Sequence, residues 1–246
     1  MNYSLTTGTV ELWHGNIAGG DEHYQHFWRI LDEAEQARAG RLKNELRQQR
    51  YVNAHGYLRN ILARLLNEPP EKIRIKKGEH GKPYLADHPE LVFNLSHSEN
   101  TMVLAVACSC QLGIDIEVCK QRANFSALVN KCFAEEEAAY WKQLPEALKK
   151  REFYRFWTRK EALVKAAGQG LSLGLNRCVV NPENPTEFLR VPAACGPLQA
   201  WHVKDIDLGS DMSIALVADK VIAGVKLMDL DVKLQTWPGN IDTFRK

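Results

Sequence analysis

Four charged side chains in the middle of the chain stand at spacings that can bring them together. In LGIDIEV, Asp115 and Glu117 alternate with Ile114, Ile116 and Val118. A period of two puts both carboxylates on one strand face, about 7 Å apart. Glu161 and Lys165 lie four apart in FYRFWTRKEALVKAAGQGLSL, so on a helix they project side by side from consecutive turns. Each pair has two readings. Asp115 and Glu117 are either the solvated face of an edge strand or carboxylates in a cleft, where like charges raise each other's pKa or need a cation between them. Oxygen ligands in that number suit Mg²⁺, which takes one or two carboxylates and completes its shell with water and phosphate. Glu161 and Lys165 are either an exposed ion pair of little worth or groups of a site.

The other candidates are groups that bind anions. Lys82 sits in Gly78-Glu-His-Gly-Lys-Pro-Tyr84, where Gly81 and Pro83 describe a tight loop whose backbone can approach a ligand. Leu91–Ser98 (LVFNLSHS) starts apolar and ends in Asn94, Ser96, His97 and Ser98, the place where a rigid strand presents site residues. Arg38, Arg41, Lys43, Arg47, Arg50, Arg59 and Arg64 crowd one helical region. They read as a solvated face or as a local basic cluster able to hold phosphate.

The elements that must position these groups follow from periodicity. Val10–Trp13 is a short strand, followed by a Gly-rich turn at Gly15, Gly19 and Gly20. Residues 21–66 are helical with a break near Gly40, and Tyr51, Leu58, Ile61, Leu62, Leu65 and Leu66 form the buried stripe. Pro69-Pro70 stops that helix. Residues 73–75 read as a strand, and 101–108 and 112–118 as a hairpin through Ser109-Cys110-Gln111. Residues 119–130 read as a connector, and a helix with an acidic first turn starts at Cys132. Glu146–Ala167 is one long helix with Phe153, Phe156, Trp157, Leu163, Val164 and Ala167 on its apolar stripe, stopped by Gly168 and Gly170. Strands are expected at 175–180, 198–203, 212–217 and 221–227, with a Pro- and Asn-rich loop at 181–197. Both halves thus place antiparallel strands after helices, an α+β fold of two similar lobes in pseudo-dimeric arrangement, residues 1–118 and 119–246.

Composition excludes several classes. The 246 residues carry 32 Lys+Arg against 30 Asp+Glu, so no global charge points to nucleic acid or a membrane surface. No apolar run approaches the roughly 20 residues of a spanning helix. MNYSLTTGTVELWHG lacks a charged-then-apolar leader, and the six cysteines contain no CxxC and no zinc spacing. A cytoplasmic protein with reduced thiols is the expectation.

Gly81-Lys82-Pro83, Phe93-Asn94-Leu95-Ser96-His97-Ser98, Gly113-Ile114-Asp115-Ile116-Glu117 and Trp157-Thr-Arg-Lys-Glu161-Ala-Leu-Val-Lys165, followed by Gly168-Gln-Gly170-Leu171, stand in this order. Together they closely resemble the 4′-phosphopantetheinyl transferases of the surfactin-synthetase type. The likeness spans residues 81–173, and the N-terminal helices match loosely. The resemblance implies transfer of the phosphopantetheine arm of coenzyme A to a serine of an apo acyl- or peptidyl-carrier protein, releasing 3′,5′-ADP. Carried over by position, Asp115, Glu117 and Glu161 would hold Mg²⁺ (or Mn²⁺), with Glu161 also the base for the serine. Lys165 would contact phosphate and the leaving oxygen. Gly81, Lys82, Pro83, Ser96 and His97 would bind coenzyme A, and Arg50 and Arg38 would match basic residues near its 3′-phosphate. A monomer acting on carriers of fatty-acid, polyketide or peptide synthases is implied. The competing reading is a non-catalytic module that binds coenzyme A or a nucleotide on the same fold.

Overall fold

Strand β1 (Thr9–Asn16) leads into helices α1 (Asp21–Ile30), α2 (Glu33–Gly40) and α3 (Glu45–Leu66). The computed structural model describes residues 5–6, 8–18, 21–184 and 186–230, so Gly19 and Gly20 of the expected turn lie outside the described residues. Capping side chains set the helix breaks. Asp32 accepts from the Glu35 amide at 2.9 Å and Glu35 from the Asp32 amide at 3.1 Å, a reciprocal cap at the start of α2. Asn44 accepts from the Arg47 amide at 2.9 Å and starts α3. The break near Gly40 is therefore present, and Asp32 adds one that periodicity alone did not reveal.

The chain continues through β2 (Ile75–Lys77), β3 (Pro83–Leu85), β4 (Leu91–Ser98), β5 (Thr101–Cys108) and β6 (Leu112–Val118). Next come α4 (Phe125–Cys132), α5 (Glu135–Gln143) and α6 (Glu146–Ala167). The last strands are β7 (Val179–Val180), β8 (Phe188–Arg190), β9 (His202–Asp205), β10 (Met212–Ala218) and β11 (Gly224–Asp229). Several expectations need correction. The first small strand begins at Ile75, because the Ile73 carbonyl accepts from Arg59 at 2.9 Å and is tied to α3. The 119–130 connector holds α4, whose Phe125 and Val129 are buried. The 181–197 loop contains β8, paired with β7. Short helical turns occupy 175–177 and 198–200, ahead of β7 and β9.

The largest correction concerns β5 and β6, which form no hairpin. β5 pairs with β4 and β1 in a sheet of order β11-β1-β5-β4, whereas β6 pairs with β10 in a second sheet, β6-β10-β9. Ser109, at a left-handed φ of 54°, turns the chain out of the first sheet. Strands from each half thus enter the other half's sheet: β11 runs parallel to β1, and β10 pairs with β6.

Burial follows the alternation along these strands. Trp13, Leu104, Phe93 and Met228 pack with Phe27, Leu58 and Leu62 of the N-terminal helices. On the opposite face Leu12, Val103 and Ala105 meet Ile114, Ile116 and Leu216 of the second sheet. The other side of that sheet, through Ala215 and Val217, packs under α6 with Ala162, Leu163 and Ala166. The order of layers is helices, sheet, sheet, helix. It is an α+β fold in which both lobes set antiparallel strands against helices.

A buried ion pair anchors the far side of α6. Lys160 and Glu137 are both 0% exposed, with Nζ 2.6 Å from Oε2. Lys160 also donates to the Leu175 carbonyl at 3.0 Å and to the Cys178 carbonyl. Glu137 accepts from the Ala134 and Val180 amides at 2.7 and 2.8 Å. Such a pair holds a geometry more than it adds stability, because desolvation offsets the attraction. Lys160→Met should cost about 3–5 kcal/mol by stranding Glu137. Lys160→Met/Glu137→Gln should recover part of that loss in denaturant melts; a double variant no better than the single would refute the pairing energetics.

Candidate active site

The site forms where α6 lies on β6. Gly113 permits the contact: a Cβ there would stand 2.0 Å from the Ala162 carbonyl oxygen and 2.4 Å from the Ala166 amide nitrogen. Asp115 shares the Gly113 face of β6, and α6 brings Lys165 to it with Nζ 2.6 Å from Oδ1. Lys165 also donates to Ser96 Oγ at 2.8 Å and to the Ile114 carbonyl at 3.2 Å. The Ser96 hydroxyl in turn donates to Asp115 Oδ1 at 3.0 Å. Asp115 is only 6% exposed, so the solvated-face reading is excluded for it.

Alternate residues of β4 stitch the edge of β6. Asn94 Oδ1 accepts from the Ile114 amide at 2.8 Å and Ser98 Oγ from the Val118 amide at 3.1 Å. Ser98 also donates to Glu117 Oε2 at 3.2 Å. These hydrogen bonds replace a backbone ladder, which is why β6 joins the first sheet through side chains. Asn94 and Ser98 were legible as polar residues of the strand, but their role in holding β6 was not.

The electrostatics of the three carboxylates agree in direction. Burial raises the pKa of Asp115, and Lys165 and Ser96 pull it back only in part. Burial, then the charge of Asp115, raises Glu117. Glu161 is raised by burial and then by Asp115 and Glu117, against the attraction of Lys165. All three therefore share one local field. Asp115 Oδ2 is buried with no hydrogen-bond partner. Among the described residues no group of three His, Cys, Asp or Glu side chains is arranged to hold a metal ion. Asp115 Oδ1 is taken by Lys165 and Ser96 instead. Even so, an orphaned carboxylate oxygen amid desolvated like charges is what a divalent cation would satisfy.

Positive groups extend from this point along the N-terminal half. Burial lowers the pKa of His97, and the neighbouring Lys165, His55 and Arg50 lower it further. Arg50 donates to Asn100 Oδ1. Tyr51 stacks on His55 with ring centroids 4.1 Å apart, and Arg38 lies 5.9 Å from the Tyr51 ring centre. His55 Nδ1 meets Glu35 Oε1 at 2.9 Å. Arg38, Arg50 and His97 are thus brought to one side of the site. His55 was missed; its only signal was the four-residue step from Tyr51.

A cleft of about 270 Å³ has walls that include His80, Lys82, Asn94, Glu161, Lys165 and Gly168, whereas Arg38, Arg50, Ser96, His97, Asp115 and Glu117 do not line it. Gly81 and Pro83 also border it. The β2–β3 loop, β4 and α6 therefore converge, as the tight loop around Lys82 suggested. His80 is a further wall residue that the sequence reading passed over. Lys82 Nζ donates to the Ala166 carbonyl at 2.6 Å, and burial lowers its pKa to about 8.

Comparison with known proteins follows the same residues. A family model described as the 4′-phosphopantetheinyl transferase superfamily matches residues 111–217, and a second, described as 4′-phosphopantetheinyl transferase, N-terminal, matches 18–109. The chain is 32% identical over 221 residues to the 4′-phosphopantetheinyl transferase HetI of Nostoc sp., covering 88% of this chain and 90% of the relative. It is 29% identical over 253 residues to a phosphopantetheinyl transferase of Thraustochytrium sp., covering 89% and 87%. It is 40% identical over 110 residues to 4′-phosphopantetheinyl transferase AcpT of Escherichia coli (strain K12), covering 45% and 55%.

The raised carboxylates carry a signed prediction. A carboxyl whose folded pKa exceeds its unfolded value keeps its proton longer in the folded state, so stability falls as pH rises from the ordinary carboxylate range through the folded value. The net upward direction for Glu161 already includes the attraction of Lys165. Glu161→Gln should therefore stabilise the metal-free protein at about pH 7 but not at about pH 4, where the wild-type carboxyls are largely protonated. Denaturant melts in EDTA at both values check this, and an equal effect at the two would contradict it.

Proposed function

This chain belongs to the 4′-phosphopantetheinyl transferase superfamily, and on that footing we propose that it moves the 4′-phosphopantetheine arm of coenzyme A to a serine hydroxyl of an apo acyl- or peptidyl-carrier protein. The products are the holo carrier and 3′,5′-ADP, in the manner of the surfactin-synthetase type. The observation that carries this reading is the meeting of Asp115 and Glu117 from β6 with Glu161 and Lys165 from α6, beside a cleft edged by basic and imidazole groups.

In this reading Asp115, Glu117 and Glu161 hold Mg²⁺, or Mn²⁺ in its place. When bound, the cation supplies positive charge to the non-bridging oxygens of the pyrophosphate. The serine oxygen attacks the phosphorus that bears the pantetheine arm, and the bond from that phosphorus to the departing 3′,5′-ADP oxygen breaks. Glu161 takes the serine proton; burial, by raising its pKa, makes it a stronger base than an exposed carboxylate. Lys165 faces the charge that develops on the departing phosphate. Ser96 and His97, with the backbone of the Gly81-Lys82-Pro83 loop, line the phosphates, and Arg50 and Arg38 face the 3′-phosphate.

The remaining parts of the reading are the division into lobes 1–118 and 119–246, a monomer, and a cytoplasmic location. Among the described residues no helix is long and apolar enough to cross a membrane. Both halves of the cleft come from one chain, which supports action as a monomer.

The test is intact-mass spectrometry of an apo acyl carrier protein incubated with the chain, coenzyme A and Mg²⁺. A mass gain of one phosphopantetheine, suppressed by EDTA, is expected. Asp115→Ala and Glu161→Ala should each lower the rate by roughly 10²–10³-fold with the fold intact. A fully active Glu161→Ala protein would sink the assignment of roles, and coenzyme A binding without product on several carriers would favour the non-catalytic module.

A further inference from the structure

We propose that Lys82 is a positioning residue, whose ammonium closes the C-terminal end of α6 and so fixes Glu161 and Lys165 against β6. The resemblance instead puts this lysine on a phosphate of coenzyme A. The inference rests on the proposed transferase only for the kinetic part of its test.

Helix geometry supplies the need. The last four carbonyls of a helix have no intrahelical donor and carry the negative end of its dipole. In α6 the chain leaves through Gly168 at φ 67°, whose own amide returns to the Val164 carbonyl at 3.1 Å. The Ala166 carbonyl takes the Lys82 ammonium at 2.6 Å. A cation at that position is favourable on both counts.

The surroundings are built for this contact. The Lys82 chain crosses Gly168 so closely that a Cβ there would stand 3.1 Å from Lys82 Cδ. Two residues on, Gly170 sits at φ 65°, and a Cβ there would lie 3.7 Å from both the Cβ and the carbonyl oxygen of His80. The β2–β3 loop therefore rests on the end of α6 at two points. The loop itself is braced: the Gly78 amide donates to the Lys82 carbonyl, and the Gly81 amide to the Gly78 carbonyl, each at 2.9 Å. Its strands continue the pairing at Lys77 and Pro83. A braced arm gripping a helix end transmits position. Lys165 is the residue next to the gripped carbonyl, and Glu161 lies just over one turn earlier.

Burial lowers the pKa of this ammonium to about 8, and Asp219 and Cys110 oppose that only in part, so the hydrogen bond to the Ala166 carbonyl is what the partly desolvated charge has in place of water. Lys82 borders the cleft, yet its Nζ is bonded to the protein's own backbone.

The test uses the full chain as Lys82→Met and Lys82→Arg. Hydrogen exchange of the coenzyme-free protein should quicken about tenfold across residues 160–170 in Lys82→Met and stay unchanged in β5. In carrier modification, kcat should fall on the order of 10²-fold while the KM for coenzyme A moves by less than about threefold. Lys82→Arg, which keeps a cation within reach, should restore part of both. Unchanged exchange, together with a raised KM and a retained kcat, would overturn the inference and make Lys82 a phosphate ligand. Should Lys82→Met not fold, the ¹⁵N resonance of the wild-type Lys82 ammonium serves instead. It should exchange slowly without coenzyme A and keep its shift when coenzyme A is added, and a marked shift would overturn the cap. If wild-type protein modifies no carrier, the transferase reading fails, while the exchange and resonance results still judge Lys82.

Discussion

Everything at the site depends on α6 lying directly on β6, with Gly113 as the point of contact. A side chain there would collide with the backbone of Ala162 and Ala166. That closeness lets a strand carboxylate and a helix lysine touch, since Asp115 is two residues from Gly113 and Lys165 one from Ala166. Any separation of the two elements would lengthen the Lys165–Asp115 contact first. Glycine here is a steric requirement of the packing, not a provision for a turn.

The same helix is held from its other side by charges that do no chemistry. Lys160, next to Glu161 in sequence, is fully buried and saturated by Glu137 and two carbonyls. Arg159, the preceding residue, is also buried and donates through Nε to Asp205 Oδ1 at 3.0 Å. Three consecutive charged residues thus point into three environments: toward Asp205, toward Glu137, and into the cleft. Buried pairs of this kind add little net stability, but leaving either member unpaired is expensive. They restrict how far α6 can rotate, and so which residue faces the cleft.

The cleft is electrostatically unbalanced by design of its neighbours. Burial raises all three carboxylates, Asp115 adds to the rise of Glu117 and Glu161, one lysine is drawn to them, and a set of arginines and histidines stands behind. Charges withdrawn from water interact strongly and need partners. A cation would answer the acidic side and a polyanionic substrate the basic side. The exchange of strands between the two sheets joins the acidic and basic sides in one body, since β6 and β10 pair across the halves and β11 returns to β1.

How much of this was legible in sequence can be judged residue by residue. Local rules reached the 22-residue α6 with its true ends, because an apolar stripe from Phe153 to Ala167 closed by Gly168 overrides competing patterns. They also paired Asp115 with Glu117 on one face, since alternation is a property of the strand alone. The order of motifs pointed to the family before any contact was known. Long-range pairing was out of reach: Leu112–Val118 reads equally well as the partner of β5 or of β10, because the choice depends on which strand edge is free in the folded chain. The bond from Lys82 to the Ala166 carbonyl joins residues 84 apart, and no spacing rule encodes it. Burial of Asp115 was likewise undetermined, since the same alternation serves a wet face and a dry one. The sequence by itself determined which side chains share a face and which chemistry they could carry; the tertiary structure alone decided which faces meet, because that depends on the packing of whole elements and on the bare backbone of Gly113.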